Sequence, residues 1–399
     1  MSSERKRPTE QIHWSAVPDK KPKIEEQSEP EAELPKKAPL PESVEVVISS
    51  PAPRGKRETV VTESGEKFTI VKLIAEGTFG KVYHVTDKNK KEWAMKLSKK
   101  RNRVVRFYDH EKKMMDMIGS ENHKNLMPMC TFGELTTNLD NCSPWMILMP
   151  LLGPSVREVM ERADDAILGV FHSFPVEDIF TIGKQLLEAL EVLDQLGLFH
   201  LDLKPENILF NNPNLDVKLE KFNNSTYHTV VNDLHIRLGD YGNTTIVTRG
   251  EEQFGKVQTQ YYRAPEIFLG LPYIETTDIW SVGCVLAELY TGEILFKGPR
   301  SKPNRPADIV QFFMMMDVLD KEPSLDQMAE AEIMQSPQYL RIVANRSWED
   351  QVGPFLLLKE NIRIDDTQEN VEYLFIVIDY LLNFDAKRRP PAYYAKKYL

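Results

Sequence analysis

The hydrophobic pattern changes character near residue 65. Before that point the chain is rich in Pro, Glu, Lys and Ser and poor in aromatics. Such a composition cannot bury enough surface to offset the entropy of ordering, so residues 1–65 read as a disordered tail. From Lys67 the pattern alternates. Residues 68–74 read as a strand, 81–85 as its hairpin partner across a glycine turn, and 92–97 as a third strand. Residues 103–118 set Val105, Met114, Met115 and Ile118 among charges, as on an amphipathic helix. Residues 145–149 form another apolar, strand-like run. Beyond it helical spacing dominates, and residues 176–196 place Ile179, Ile182, Leu186, Leu187, Leu190 and Leu193 on one face. The pattern predicts an α+β fold with a small β-rich lobe over about 66–151 and a larger helical lobe over about 152–399. A cleft between two lobes is a usual place for a ligand.

Composition narrows this picture. The 399 residues, 41% of them hydrophobic, suffice for one large two-lobed domain. The three cysteines, Cys130, Cys142 and Cys284, have no CxxC spacing, which argues against a disulfide framework or a structural zinc site. A reducing compartment follows as the expectation, nucleus and/or cytoplasm. The polar start lacks an apolar signal segment, and the apolar runs are too short to span a bilayer, so no membrane partner is expected. A net charge of −10 argues against direct nucleic-acid binding and suits a basic protein substrate. Lys6-Arg7 and Lys20-Lys21-Pro22-Lys23 have the spacing of a bipartite nuclear-import signal, and equally that of a solvated charge run. A monomer is expected.

Candidate chemistry sits in three places. Ile74-Ala75-Glu76-Gly77-Thr78-Phe79-Gly80-Lys81-Val82 joins the first two strands. Its glycines let backbone N–H groups approach phosphates with no Cβ in the way. A plain hairpin turn would use the same residues. The strand–turn–strand context argues against a dinucleotide fold, which needs strand–turn–helix. Lys96 follows on the third strand, with Glu111 on the next helix as its natural partner. Such a pair would hold the ammonium against the α- and β-phosphates of a nucleotide; alone, an exposed edge-strand lysine is the simpler reading. The third place changes those odds. In His200-Leu201-Asp202-Leu203-Lys204-Pro205-Glu206-Asn207, Asp202 can accept a hydroxyl proton, Lys204 can neutralise a transferring phosphoryl group, and Asn207 can bind a metal through its amide oxygen. Leu209 would floor an adenine pocket, and Asp240, in Asp240-Tyr241-Gly242, is placed to chelate magnesium.

Together these segments resemble the eukaryotic protein kinase family, from about Phe68 to the C-terminus. The resemblance rests on Gly77-x-x-Gly80, Lys96, Glu111, the loop 202–207, Asp240-Tyr241-Gly242, Ala264-Pro265-Glu266, the run 278–283 and the run 385–389. It implies a two-lobed kinase fold that uses ATP and Mg2+. Asp202 and Lys204 would be catalytic, and Asn207 and Asp240 the metal ligands. Ile74, Ala75, Gly77, Gly80, Val82, Ala94, Lys96, Glu111, Met149, Leu152 and Leu209 would line the nucleotide site, with Met149 as gatekeeper and 150–152 as hinge. Glu266 would pair with Arg389, and Asp278 would brace the catalytic loop. The run from Gln258 to Glu266, including Thr259 and Arg263, resembles the group that holds the cyclin-dependent, mitogen-activated, CDC-like and dual-specificity tyrosine-regulated kinases, as does an extra stretch over 308–340.

Within that group three features resemble the CDC-like (LAMMER) branch: Leu201 where most kinases have Arg, an insertion over 211–234, and Phe313-Met314-Met315-Met316-Asp317-Val318-Leu319 as a degraded form of the branch signature. That branch implies a serine/threonine kinase with possible dual specificity and Arg/Ser-rich protein substrates. A Ser-Pro preference is the alternative. Two departures, Ala75 for Gly and Leu201 for Arg, support a competing reading as a pseudokinase scaffold.

Overall fold

Ordered structure begins earlier than the composition suggests. The protein is described by a computed structural model covering residues 40–48, 58–77, 80–99, 104–137, 139, 142–223, 225–248, 251–298, 307–331 and 368–399. Strand β1 (Ser43–Val46) and strand β2 (Thr59–Val61) both fall inside the stretch expected to be disordered. The first gains order from a partner more than 170 residues away, which composition cannot reveal, and the second from the strand that follows it. The basic clusters at 6–7 and 20–23 lie outside the described residues.

The first lobe is a six-stranded sheet in the order β2-β3-β4-β5-β7-β6. Its further strands are β3 (Lys67–Glu76), β4 (Gly80–Thr86), β5 (Glu92–Lys99), β6 (Thr131–Glu134) and β7 (Cys142–Pro150). Helix α1 (Val104–Ser120) packs against β5 and β7. Side chains alternate across a pleated sheet, so register decides what faces the cleft. Val82, Lys96 and Ile147 form one cross-strand row, and Ala94 stands opposite Met149 two positions on. The intervening positions, Met95, Leu97, Met146 and Leu148, join Val60 and Phe68 in the core of the lobe.

The second lobe is mainly helical. Helix α2 (Val156–Ala166) starts at Ser155, whose hydroxyl accepts the N–H of Glu158, a usual way to satisfy the open first turn. Helix α3 (Val176–Gln195) follows strand β8 (Phe171–Ser173) and buries the apolar face read from its periodicity. Two short antiparallel pairs carry the catalytic segments: β9 (Leu198–Phe199) with β14 (Thr245–Ile246), and β10 (Ile208–Phe210) with β13 (Ile236–Leu238). Between β10 and β13 the insertion forms a hairpin of β11 (Val217–Lys221) and β12 (Thr226–Val231). β1 pairs with β11 and β8 with β12, so the insertion is the centre of a four-stranded sheet.

Helices α4 (Pro265–Leu269), α5 (Thr277–Thr291) and α6 (Ala307–Leu319) follow. α5 is buried along nearly its whole length, with Trp280 between Phe296 and Phe384. The stretch expected as a group insert contributes α6 and a short helix, Leu325–Glu330; residues 332–340 lie outside the described residues. Among the described residues no helix is long and apolar enough to cross a membrane.

Candidate active site

The loop after β9 turns on buried polar contacts. Asp278, at the start of α5, accepts the backbone N–H of His200 at 2.7 Å and of Leu201 at 2.9 Å. His200 accepts the Asp202 N–H at Nδ1, 3.2 Å, which leaves Nε2 to donate to the Gly239 carbonyl at 3.1 Å. One histidine thus ties the loop carrying Asp202 to the segment carrying Asp240. Leu201 adopts a left-handed φ of 59°, a conformation costing a non-glycine residue about 1–2 kcal/mol and held only where the surroundings over-determine it. Its side chain is fully buried, so the position usually filled by Arg is used here for packing.

Asp202 stands at the centre of a polar cluster. Lys204 Nζ donates to Asp202 Oδ2 at 2.9 Å and to Thr259 Oγ1 at 3.0 Å, and Thr259 donates to Asp202 Oδ1 at 2.6 Å. Thr259 belongs to a segment more than fifty residues away, so the cluster exists only when that segment is folded onto the loop. Asn207 Nδ2 donates to the Asp202 carbonyl at 2.7 Å. A further contact escaped the sequence reading: Asn243 Nδ2 donates to Asp202 Oδ2 at 3.2 Å. Its signal was its place directly after Asp240-Tyr241-Gly242.

Opposite this cluster, Lys96 Nζ lies 2.5 Å from Glu111 Oε1 and 2.9 Å from Asp240 Oδ1. Burial opposes the Lys96 charge, but the Glu111 and Asp240 carboxylates outweigh it and hold the ammonium firmly protonated. Lys96 in turn pulls the Asp240 carboxyl below its ordinary value. Asp240 itself takes a left-handed φ of 60°, which turns its carboxylate toward Lys96. Tyr241 is fully buried; its hydroxyl donates to the Leu238 carbonyl at 2.6 Å and accepts the Met127 N–H at 3.2 Å.

The glycine turn divides its labour. A Cβ at Gly80 would come within 2.7 Å of the Leu97 carbonyl oxygen, so the sheet itself demands this glycine. A Cβ at Gly77 would meet nothing, and the Gly77 N–H closes the turn on the Gly80 carbonyl at 3.0 Å. Ile74 and Ala75 are exposed beside it; Thr78 and Phe79 lie outside the described residues. Leu152 and Leu209 are half-buried, Leu209 on β10, and Met149 closes the inner end of the row.

The supporting residues are deeply placed. Arg389 Nη1 donates to Glu266 Oε1 at 2.8 Å and Nη2 to Oε2, a bidentate buried pair that also receives the Thr277 hydroxyl at 2.7 Å. Arg263 Nη2 donates to the Gln258 carbonyl at 2.9 Å and Nη1 to Asp308 Oδ1 at 3.1 Å. Lys256 pairs with the other Asp308 oxygen.

Whether this donor set suits a metal can be judged from its chemistry. Asn207 keeps its amide oxygen and Asp240 its Oδ2 without a protein partner among the described residues. Two hard oxygen donors match a divalent cation such as Mg2+, which typically completes its shell with water and substrate phosphates. Among the described residues no group of three His, Cys, Asp or Glu is placed to hold a metal ion.

Comparison with known proteins agrees with this geometry. Residues 68–398 match the family model described as protein kinase domain. The chain is 33% identical over 233 residues to dual specificity protein kinase lkh1 of Schizosaccharomyces pombe, covering 58% of this chain and 32% of that protein. It is 29% identical over 340 residues to serine/threonine-protein kinase AFC2 of Arabidopsis thaliana, covering 81% of this chain and 74% of that protein. The match thus spans about a third of the first relative and three quarters of the second. A crystal structure of a kinase domain superimposes with a TM-score of 0.63 at 24% identity, over 84% of this chain and 94% of that one, which supports the fold. With four fifths of its length inside the family model, this chain belongs to the protein kinase family.

Proposed function

We propose that the chain is an ATP-dependent protein serine/threonine kinase. One observation carries the reading: Asp202, Lys204 and Thr259 form a single hydrogen-bonded cluster, and Lys96 bonds Asp240, whose carboxylate also feels the Lys204 charge. Lys96, held by Glu111, would take the α- and β-phosphates. Asp202 would accept the acceptor's hydroxyl proton, held in orientation by Thr259 and Asn243. Lys204 would offset charge on the transferring group. Asn207 and Asp240 would hold Mg2+, which when bound neutralises phosphate charge. Pseudokinase behaviour finds no support in this geometry, because each of these groups is aligned and partnered. Radiolabelled ATP with a generic basic protein tests the proposal. Wild type should transfer phosphate, and Asp202→Asn should lose on the order of 10² to 10⁴ in rate while still binding ATP. Absence of transfer together with absence of a magnesium-dependent thermal shift with ATP would sink it.

For the substrate, the CDC-like resemblance favours Arg/Ser-rich proteins. A second reading, Ser-Pro acceptors, is favoured by Gln258. Its backbone is left-handed, with φ 63°, and its carbonyl is taken by Arg263. A substrate N–H arriving beside it finds no acceptor there, a cost that proline, lacking an N–H, does not incur.

A further inference from the structure

Arg157, on α2, holds its guanidinium between two carboxylates. Nε donates to Glu206 Oε1 at 3.1 Å, while Nη2 donates to Glu288 Oε1 at 2.7 Å and to the Tyr262 hydroxyl at 2.8 Å. Tyr262 donates to the second Glu288 oxygen at 2.7 Å. Glu288 lies fully buried on α5. The Glu206 side chain is 45% exposed, on the short turn that follows Lys204 and ends in Asn207. Stripped of Arg157, this place would hold two carboxylates, Glu206 four residues along the chain from Asp202 and Glu288 behind it on α5. Paired carboxylates beside an acceptor site are the chemistry that recognises an arginine or lysine in a peptide, through charge-assisted and often bidentate hydrogen bonds.

We propose that Arg157 fills, from within the chain, the place a basic substrate side chain would take, so that Glu206 and Glu288 do not read basic residues flanking the acceptor. The inference rests on the kinase reading and deepens it. A substrate arginine would gain only what Arg157 surrendered: it would break three hydrogen bonds and strand one guanidinium to satisfy another. Burial raises the Glu288 carboxyl, and the Arg157 charge and the Tyr262 hydroxyl offset part of that rise. Any preference for Arg/Ser-rich proteins must then arise elsewhere on the surface, and the Gln258 geometry acts on acceptor choice without competition from this site.

The test uses the full chain and paired serine peptides that differ only by Arg or Ala ahead of the acceptor, and it reads the ratio of kcat/KM for each pair. Glu206→Ala should leave the wild-type ratio within about twofold, because its carboxylate is already occupied. Arg157→Gln should raise the preference for Arg about three- to tenfold, the range expected of a half-exposed, hydrogen-bonded ion pair, and adding Glu206→Ala should cancel the gain. A clear fall in the wild-type ratio on Glu206→Ala overturns the inference, as does a folded Arg157→Gln protein with an unchanged ratio. If thermal melting shows that Arg157→Gln does not fold, Glu206→Ala decides alone. Absence of transfer to every peptide sinks the kinase reading itself, whereas a Glu206→Ala effect in an active enzyme sinks only this inference.

Discussion

The loop that carries Asp202 and the strand that carries Lys96 are held in different ways. The loop hangs from buried, directional bonds: Asp278 takes two backbone N–H groups, and His200 links Asp202 to Gly239. Nothing in that set faces the cleft, so ligand binding need not disturb it. Lys96 instead divides one ammonium between Glu111 and Asp240, and the Asp240 carboxylate is 47% exposed. The exposed Asp240 contact can give way to phosphate oxygens, whereas buried Glu111 stays on the lysine. The comparison teaches that Asp202, the proposed base, is fixed by buried bonds, whereas Lys96, the proposed phosphate ligand, keeps one exposed partner that can be exchanged.

Four substitutions would break or sharpen this contrast. The largest effect on stability is expected in the locked half. Arg389→Ala leaves Glu266 buried and unpaired and should cost about 3–5 kcal/mol in denaturant unfolding. Lys96→Met should act the other way round, lowering phosphate transfer by about 10²–10³-fold while shifting the melting temperature less than Arg389→Ala does. Equal loss of stability from the two would erase the distinction. Tyr241→Phe sits between the halves: it leaves the buried Met127 N–H without its acceptor and should cost about 1–3 kcal/mol. Unchanged unfolding would mean that the segment around Asp240 relaxes freely.

The smallest effect concerns pH. Burial, reinforced by Asp278, Glu275 and Glu191, pushes the Asp194 carboxyl up to about 8 from an ordinary 3.8. Between those values the folded chain binds more protons than the unfolded one, so this group makes stability fall as pH rises toward about 8. Asp194→Asn should therefore gain in melting temperature relative to wild type as pH is raised from about 5 to about 8. A constant difference across that range would show that Asp194 titrates normally.

Much of the site was legible because its chemistry is packed into short sequence spans. Asp202, Lys204 and Asn207 occupy six consecutive positions, and a turn that short must bring their side chains together. The strands and helices of both lobes follow the apolar periodicity closely, with α3 (Val176–Gln195) ending one residue from its expected limit. β1 and β2 fall inside the stretch expected to be a tail because strands of four and three residues are too short to stand out as an alternating pattern. They are ordered by pairing with β11 and β3, and Tyr227 even donates its hydroxyl to the Pro41 carbonyl.

The sequence by itself determined the family, the lobes and the candidate site residues, since each depends on residue type and local spacing. Only the tertiary structure decided what those groups are bound to. Thr259 and Asn243 meet on Asp202, Asp308 joins Lys256 to Arg263, and Arg157 closes on Glu206 and Glu288 across separations of 49 and 131 residues. Charge and hydrogen-bond partners at such separations are set by how helices and loops pack. No local pattern encodes which of sixty carboxylates an arginine will find.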